Sequence, residues 1–262
     1  MLLAVDIGNT QIVVGLFDGE RLARSWRLAS RQDLTSDEFR VLLGGLLGAS
    51  STNVHDSVVG SVVPALTAEL ARALEELIGQ PSLIIAPGVR TGVKICTDNP
   101  HEVGADRIVN AAAAVHTLAA VRGPGEAARP IVVVDFGTAT TLDVVTAEGE
   151  YLGGIITAGP SISAEALATR AARLARVELT QPPRVIGRNT VDSIRSGLIY
   201  GHAALIEGLL GRIETELGEP VRVVVTGGLS AVIAPLLSRV DAEDPGLTLR
   251  GLSLIYHRPR AR

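Results

Sequence analysis

The sequence predicts an α/β protein built from two topologically similar halves. Three observations carry that expectation. First, the chain repeats its own beginning: LAVDIGNTQIVVGLFDGERL at 3–22 lies over VVVDFGTATTLDVVTAEGEYL at 132–152 with one inserted residue. Second, each copy reads as an apolar strand, an Asp, a Gly with hydroxyl or amide neighbours, a second apolar strand, an acidic turn with Gly, and a third strand. Third, stretches with the apolar spacing of helices follow each copy. The second copy begins almost halfway along the 262 residues, which places the halves at 1–120 and 130–262.

Within the repeat, Asp6 matches Asp135, Gly8 matches Gly137 and Asn9 matches Thr138. Turn signals at Asp18-Gly19 and Glu148-Gly149 suggest hairpins. Helical spacing covers roughly 35–48, 65–79 and 101–120. Asn99-Pro100 offers a start for the third helix, because Asn caps and Pro suits the first helical position. VRGPGEAARP at 121–130, rich in Gly, Pro and charge, reads as an exposed connection. Ile131-Val132-Val133-Val134 reads as a buried strand. Helices are then expected near 163–175, 190–216 and 228–238, with a strand VRVVVTGG at 221–228 that ends in paired glycines.

Composition removes several function classes. Hydrophobic residues form 47% of the chain, enough for a packed core, and no apolar run is long enough to span a bilayer. The N-terminus lacks a basic region and a small-residue cleavage site, so no signal peptide is expected. A net charge of −4 and only 3% aromatic residues argue against nucleic acid as a partner. Cys96 is the only cysteine, which excludes an internal disulfide and suits a reducing cytoplasm. The His and Cys residues lack zinc-site spacing. Lys94 is the only lysine, and the pattern G-x-x-x-x-G-K-[ST] is absent. Phosphate handling on this chain must therefore use backbone N–H groups, hydroxyls, arginine and metal.

The repeated Asp-x-Gly-x-Thr turn has a chemical reading. Glycine lets the backbone approach a ligand closely. Turn N–H groups with Thr and Asn side chains form a concave anion site. A carboxylate there repels a phosphate unless a cation lies between them. An ordinary hairpin with an Asx turn would explain one copy. Two copies in matching positions, with TGG at 226–228, point to nucleotide phosphates held with a metal. Elsewhere, Glu102, Asp106 and Asn110 fall at i, i+4 and i+8 on the expected third helix. Such a stripe could raise one carboxyl toward the range of a general base, although spacing alone favours a solvated polar face.

Paired Asp-x-Gly-x-Thr hairpins in duplicated halves resemble the acetate and sugar kinase, Hsp70 and actin superfamily. More narrowly, DIGNT at 6–10, NPHEVGADR at 99–107, VDFGTATT at 134–141, GG at 153–154, GRNT at 187–190 and TGG at 226–228 look like type III pantothenate kinase. The match runs in order along nearly the whole chain. The resemblance implies two ribonuclease-H-like halves with ATP in the cleft between them. It implies transfer of the ATP γ-phosphate to the primary hydroxyl of pantothenate, giving 4'-phosphopantothenate in the first step of coenzyme A biosynthesis.

By the family's motifs, Asp6, Ile7, Gly8, Asn9, Thr10, Gln11, Ile12 and Val13 carry the first phosphate hairpin. Thr138 contacts ATP, and Gly227 and Gly228 let adenosine lie against backbone. Asp106 is the implied general base. Gly104, Ala105, Asp106, Arg107 and Thr190 line the implied pantothenate site. Asp135 is implied to bind potassium or ammonium, and Asp6 to approach Mg2+ through water. The family is typically a cytoplasmic homodimer with pantothenate near the subunit interface, and Ala111 to Ala114 would permit close helix approach there. Membrane and nucleic-acid partners are not expected. The chain reads Cys96-Thr97-Asp98 where many relatives carry a tyrosine, and Thr157-Ala158-Gly159-Pro160 where many read Pro-Gly. Two other functions fit parts of the pattern: another small-molecule kinase or phosphatase of the superfamily, and a non-enzymatic transcription accessory factor of the same family.

Overall fold

The computed structural model describes residues 1–121, 127–170, 174 and 176–259. The chain divides into two compact units, Met1–Thr117 with Gly246–Arg262, and Leu118–Pro245.

In the first unit, β1 (Leu2–Ile7), β2 (Gln11–Asp18) and β3 (Arg21–Ala29) form an antiparallel meander. There follow α1 (Ser36–Leu47), β4 (Asp56–Ser61), α2 (Pro64–Ile78), β5 (Leu83–Ile84) and β6 (Lys94–Ile95). The sheet order is β3-β2-β1-β4-β5, with β4 parallel to both β1 and β5. The run Leu2-Leu3-Ala4-Val5 is buried throughout, as a central strand covered on both faces requires. On one face, Leu3, Val5 and Ile7 pack with Phe39 and Leu43 of α1 and Leu66, Leu70 and Leu74 of α2. Thr35 and Glu38 form a capping box at the start of α1.

Next come α3 (Ala105–Val121), β7 (Ile131–Phe136), β8 (Ala139–Val145), β9 (Glu150–Ala158), α4 (Pro160–Arg170), α5 (Thr190–Leu217), β10 (Arg222–Thr226), α6 (Ser230–Ile233) and β11 (Ala242–Glu243). In the second unit β11-β10-β7-β8-β9 are neighbours in that order. Strand for strand this repeats the first sheet, including the parallel pairing of β10 with β7 and β11. Even the irregularity recurs, at Leu16/Phe17 and at Val144/Val145. The core of this unit joins Val132, Val134 and Phe136 to Ala203, Ile206 and Leu210 of α5 and to Val223 and Val225 of β10.

Several expectations need correction. Ile7 pairs with Ile12 but Phe136 pairs with Thr140, so the second hairpin tip is one residue shorter. Phe17 pairs with Leu22 but Val145 with Tyr151, so the residue is regained at the far turn. The structure thus replaces the one inserted residue of the sequence overlay with a deletion and an insertion at opposite ends of one strand that cancel, so Leu22 matches Tyr151 and not Leu152. The helix expected from Asn99-Pro100 is a 3₁₀ turn, Pro100–Glu102, and α3 begins only at Ala105, after Gly104. The helix expected at 228–238 is α6 followed by a 3₁₀ turn at Ala234–Leu236, because Pro235 cannot continue an α-helical ladder. The helix expected at 163–175 is described as far as Arg170; residues 171–173 and 175 lie outside the described residues, as do 122–126 of the expected connection.

The division at 1–120 and 130–262 misses the last helix, α7 (Leu247–His257), which was not read from the sequence. It packs on the first sheet. A Cβ on Gly15 would stand 2.8 Å from Leu249 Cδ1, and one on Gly60 would stand 3.1 Å from Leu252 Cδ2. Small residues in β2 and β4 make room for the helix. Ala111, Ala112, Ala113 and Ala114 are buried at 0–3% exposure within the chain, so they do not offer the close helix approach expected of them at a subunit interface. Their small size serves packing inside one subunit.

Candidate active site

Asp6 and Asp135 are each the penultimate residue of a central strand. Asp6 pairs with Gly60 across β4, and Asp135 pairs with Thr226 across β10. Both acids therefore stand at the carboxyl end of parallel strands, the edge where open α/β sheets bind ligands.

In the first unit, Gly8 N donates to Gln11 O at 2.9 Å and closes the hairpin tip. That N–H is committed to the turn. Asn9, Thr10 and Gln11 are exposed, while Ile7 and Ile12 are buried and pair across the ladder. Val13 pairs with Asp6. Of the segment 6–13, the tip faces outward and the isoleucines fasten it to the core. Asp6 Oδ1 lies 3.9 Å from where a Cβ on Gly60 would be. The turn after Gly60 is shaped by Ser61, whose Oγ accepts from Val63 N at 3.0 Å and from Thr67 Oγ1 at 2.7 Å. Gly60 to Val62 was not singled out from the sequence. The same signal that marked TGG, an apolar strand ending in Gly before a helix start at Pro64, was present there.

Val62 links this edge to the GADR segment. A Cβ on Gly104 would come 3.7 Å from Val62 Cγ1 and 2.7 Å from Asp106 Oδ1. Glycine at 104 therefore leaves space that the Asp106 carboxylate uses. Asp106 sits in the first turn of α3, half-buried, and its Oδ1 accepts from Arg107 N at 2.8 Å. Ala105 and Arg107 flank it and are also half-buried. The expected stripe of Glu102, Asp106 and Asn110 does not form. Glu102 lies outside α3 and accepts from Asn99 Nδ2 at 2.6 Å. Asn110 is buried and accepts from Thr248 Oγ1 of α7 at 2.8 Å.

In the second unit, Gly227 has φ +95°, and a Cβ there would stand 2.5 Å from Asp135 Oδ1 and 2.6 Å from the Phe136 backbone. Leu229 N donates to Phe136 O at 3.3 Å, so the turn after β10 is laid across the end of β7. Gly228 is exposed and has nothing within 4 Å of a Cβ position. Thr138 is exposed at the hairpin tip, and its carbonyl accepts from Gly159 N at 3.2 Å. A Cβ on Gly159 would meet that carbonyl at 2.5 Å, which gives glycine at 159 a packing reason. From below, His202 Nε2 and Thr140 Oγ1 are 2.9 Å apart. Burial holds the His202 imidazole below its ordinary pKa of 6.5.

Thr190 opens α5, is exposed, and follows Asn189, whose Oδ1 accepts from Asp192 N at 2.8 Å. The GRNT motif is thus a helix cap as well as a candidate binding element. Among the described residues no cluster of three or more His, Cys, Asp or Glu side chains could cage a metal ion. Single carboxylates beside glycine backbone instead offer hard oxygen donors with few protein ligands, which suits a water-rich magnesium or an alkali cation.

The family model of type III pantothenate kinase matches residues 2–212. A type III pantothenate kinase of Myxococcus xanthus is 46% identical over 264 residues, covering 100% of both chains. One of Moorella thermoacetica is 45% identical over 261 residues, covering 98% of this chain and 99% of the relative. The chain belongs to the type III pantothenate kinase family. Among solved structures, a candidate 2-dehydro-3-deoxygalactonokinase from Sinorhizobium meliloti aligns over 100% of this chain and 98% of its own, with a TM-score of 0.60 at 17% identity. That likeness shows the fold, the two-domain sugar kinase and actin-like ATPase architecture. Among the described residues of this family member, no helix is long and apolar enough to cross a membrane.

Proposed function

We propose that this chain phosphorylates pantothenate with ATP, giving 4'-phosphopantothenate at the entry to coenzyme A synthesis. The observation that carries this is the GADR segment: Gly104 abuts Val62, which leaves β4 at the same strand edge as Asp6. A phosphate hairpin and an anchored carboxylate thereby share one edge. End-to-end identity to curated pantothenate kinases supports the substrate.

Positioning and charge stabilisation dominate phosphoryl transfer. Asn9, Thr10 and Thr138 present side chains and backbone at two hairpin tips for the ATP phosphates. Gly227 keeps backbone close to the end of β7, where adenosine can lie. Asp106 takes the proton of the pantothenate hydroxyl. Its hydrogen bond from Arg107 N fixes the carboxylate for that role. Gly104, Ala105, Arg107 and Thr190 line the acceptor. Asp6 would hold magnesium through water and Asp135 a potassium or ammonium ion. These cations offset phosphate charge when bound.

We read the active form as a cytoplasmic homodimer. Since Ala111–Ala114 are buried, the exposed apolar residues Ile156 at 63%, Val185 at 66% and Ile186 at 83% are the better candidates for a subunit contact. The deciding experiment is ATP-dependent conversion of pantothenate by the pure protein, followed by mass spectrometry. A product mass of phosphopantothenate is expected. No conversion of pantothenate beside clear phosphorylation of a sugar or sugar acid overturns the assignment.

A further inference from the structure

Strand β8 carries a buried polar group that the fold does not demand. Asp143 and Tyr151 are both at 0% exposure. Asp143 Oδ1 accepts from Tyr151 Oη at 2.6 Å, and Oδ2 accepts from Thr141 Oγ1 at 3.0 Å. Burying a carboxylate is costly even when it is hydrogen-bonded. The first unit avoids the cost. There Asp6 pairs with Val13, Ala4 with Gly15 and Phe17 with Leu22, in the places where Asp135 pairs with Thr141, Val133 with Asp143 and Val145 with Tyr151. A Cβ on Gly15 would lie 3.1 Å from Leu22 Cδ1, so the neighbours are the same and only the chemistry differs. The polar triad goes with whatever is particular to Asp135.

The hydrogen-bond polarity suggests what that is. Thr141 stands directly opposite Asp135, and side chains of opposed residues share a face with Cβ atoms about 4.5–5.5 Å apart. A hydroxyl has one proton. Thr141 gives its proton to Asp143, so toward the Asp135 side it offers only lone pairs. We propose that Asp143 is a positioning residue for the monovalent-cation site at Asp135: it takes the Thr141 proton, and Tyr151 holds it in place to do so. The Asp135 carboxylate then meets an oxygen acceptor, not a proton that competes with the cation. This rests on the reading of Asp135 given above.

Asp143→Asn tests it without a change of size. The Asn side chain has one acceptor oxygen where the carboxylate had two, so Thr141 and Tyr151 can no longer both donate to it and the Thr141 proton is no longer fixed toward residue 143. The potassium concentration for half-maximal activity is expected to rise about threefold to tenfold, the scale of one hydrogen bond, with the rate at saturating potassium within about threefold of wild type. A second readout is the rise in Tm that potassium chloride gives over sodium chloride with ATP bound; it is expected to shrink. Thr141→Val, the residue type of the first repeat, should behave likewise, while Thr141→Ser should retain the wild-type response. If Asp143→Asn does not fold, the Val and Ser pair decides. An Asp143→Asn or Thr141→Val protein with lowered Tm in both salts but unchanged half-activation overturns the positioning role alone. Wild-type protein that responds equally to sodium and potassium overturns the Asp135 reading and the inference with it.

Discussion

Gly227 lies against the Asp135 carboxylate so closely that a methyl group on it would stand 2.5 Å from Oδ1, and its φ of +95° is one that side chains rarely adopt. Gly227→Ala should therefore both strain the turn, by about 1–2 kcal/mol, and displace the acid. A lower Tm and at least roughly tenfold weaker ATP binding are expected. Gly228→Ala, with open space at its Cβ position, should keep the wild-type Tm and lose less ATP affinity than Gly227→Ala. Calorimetric titration with ATP checks the pair. Equal losses in the two variants would show that the approach of Gly227 to Asp135 is not what matters.

Asp106→Asn keeps the shape of the side chain and removes its capacity to accept a proton. General-base catalysis contributes roughly 10²–10⁴ in rate. A kcat loss in that range is expected, with ATP affinity little changed. Glu102→Gln should be mild, since Glu102 is exposed, outside α3, and engaged with Asn99. Steady-state kinetics of both variants, beside pantothenate binding, decides. A wild-type kcat in Asp106→Asn would remove it from the chemistry.

Ala112→Leu discriminates between two uses of the alanine run. Ala112 is 3% exposed within one chain. Overpacking a filled core costs about 1–3 kcal/mol. The variant should unfold at lower temperature and sediment as wild type does. A changed association state at unchanged Tm would return the alanines to an interface.

Stability should also report His202. Burial lowers its pKa in the folded protein, so below about 6.5 the unfolded chain binds a proton that the folded chain refuses. Stability then rises with pH in this window and falls as pH drops through it. Glu38, Glu207 and Glu214 have pKa values held below 4.5, by hydrogen bonds from Thr35, Ser238 and Arg239 respectively. Their contribution is present above 4.5 and is lost at lower pH. A Tm series between pH 7.5 and about 5 should decline in wild type and flatten in His202→Gln. An unaltered slope in the variant would assign the decline to other groups.

What the sequence made legible follows from where its signals are local. The hairpins at 6–13 and 135–141 carry their own turn chemistry, and the repeat cross-checked them. Gly19 and Gly149 occupy the left-handed conformations that the Asp-Gly and Glu-Gly signals imply. The start of α3 was misread because Asn99-Pro100 is a sound helix opening in isolation; Gly104 and the packing of Val62 interrupt it, and neither is a local signal. The alanine run was legible as small but not as buried: α7 meets this helix just before the run, Thr248 at Asn110 and Gly251 at Val109, and those residues lie over a hundred positions away in sequence. Strand β4 and the turn at Gly60 carry the signal of TGG in weaker form, since a short apolar run with a single Gly and no periodicity fits helix or strand equally. The Asp143 triad could have been suspected from an acid in the middle of an apolar strand.

The position of α7 bears on how the chain is made. Leu249 and Leu252 fill the spaces left by Gly15 and Gly60, yet they are translated after the whole of residues 118–245. At about 5–20 residues per second the ribosome needs on the order of ten seconds to supply them. Throughout that interval the first sheet has one face finished by α1 and α2 and the other awaiting its cover. The amino-terminal unit must be born incomplete, and a nascent chain stalled before residue 247 should be a better chaperone client than the released protein.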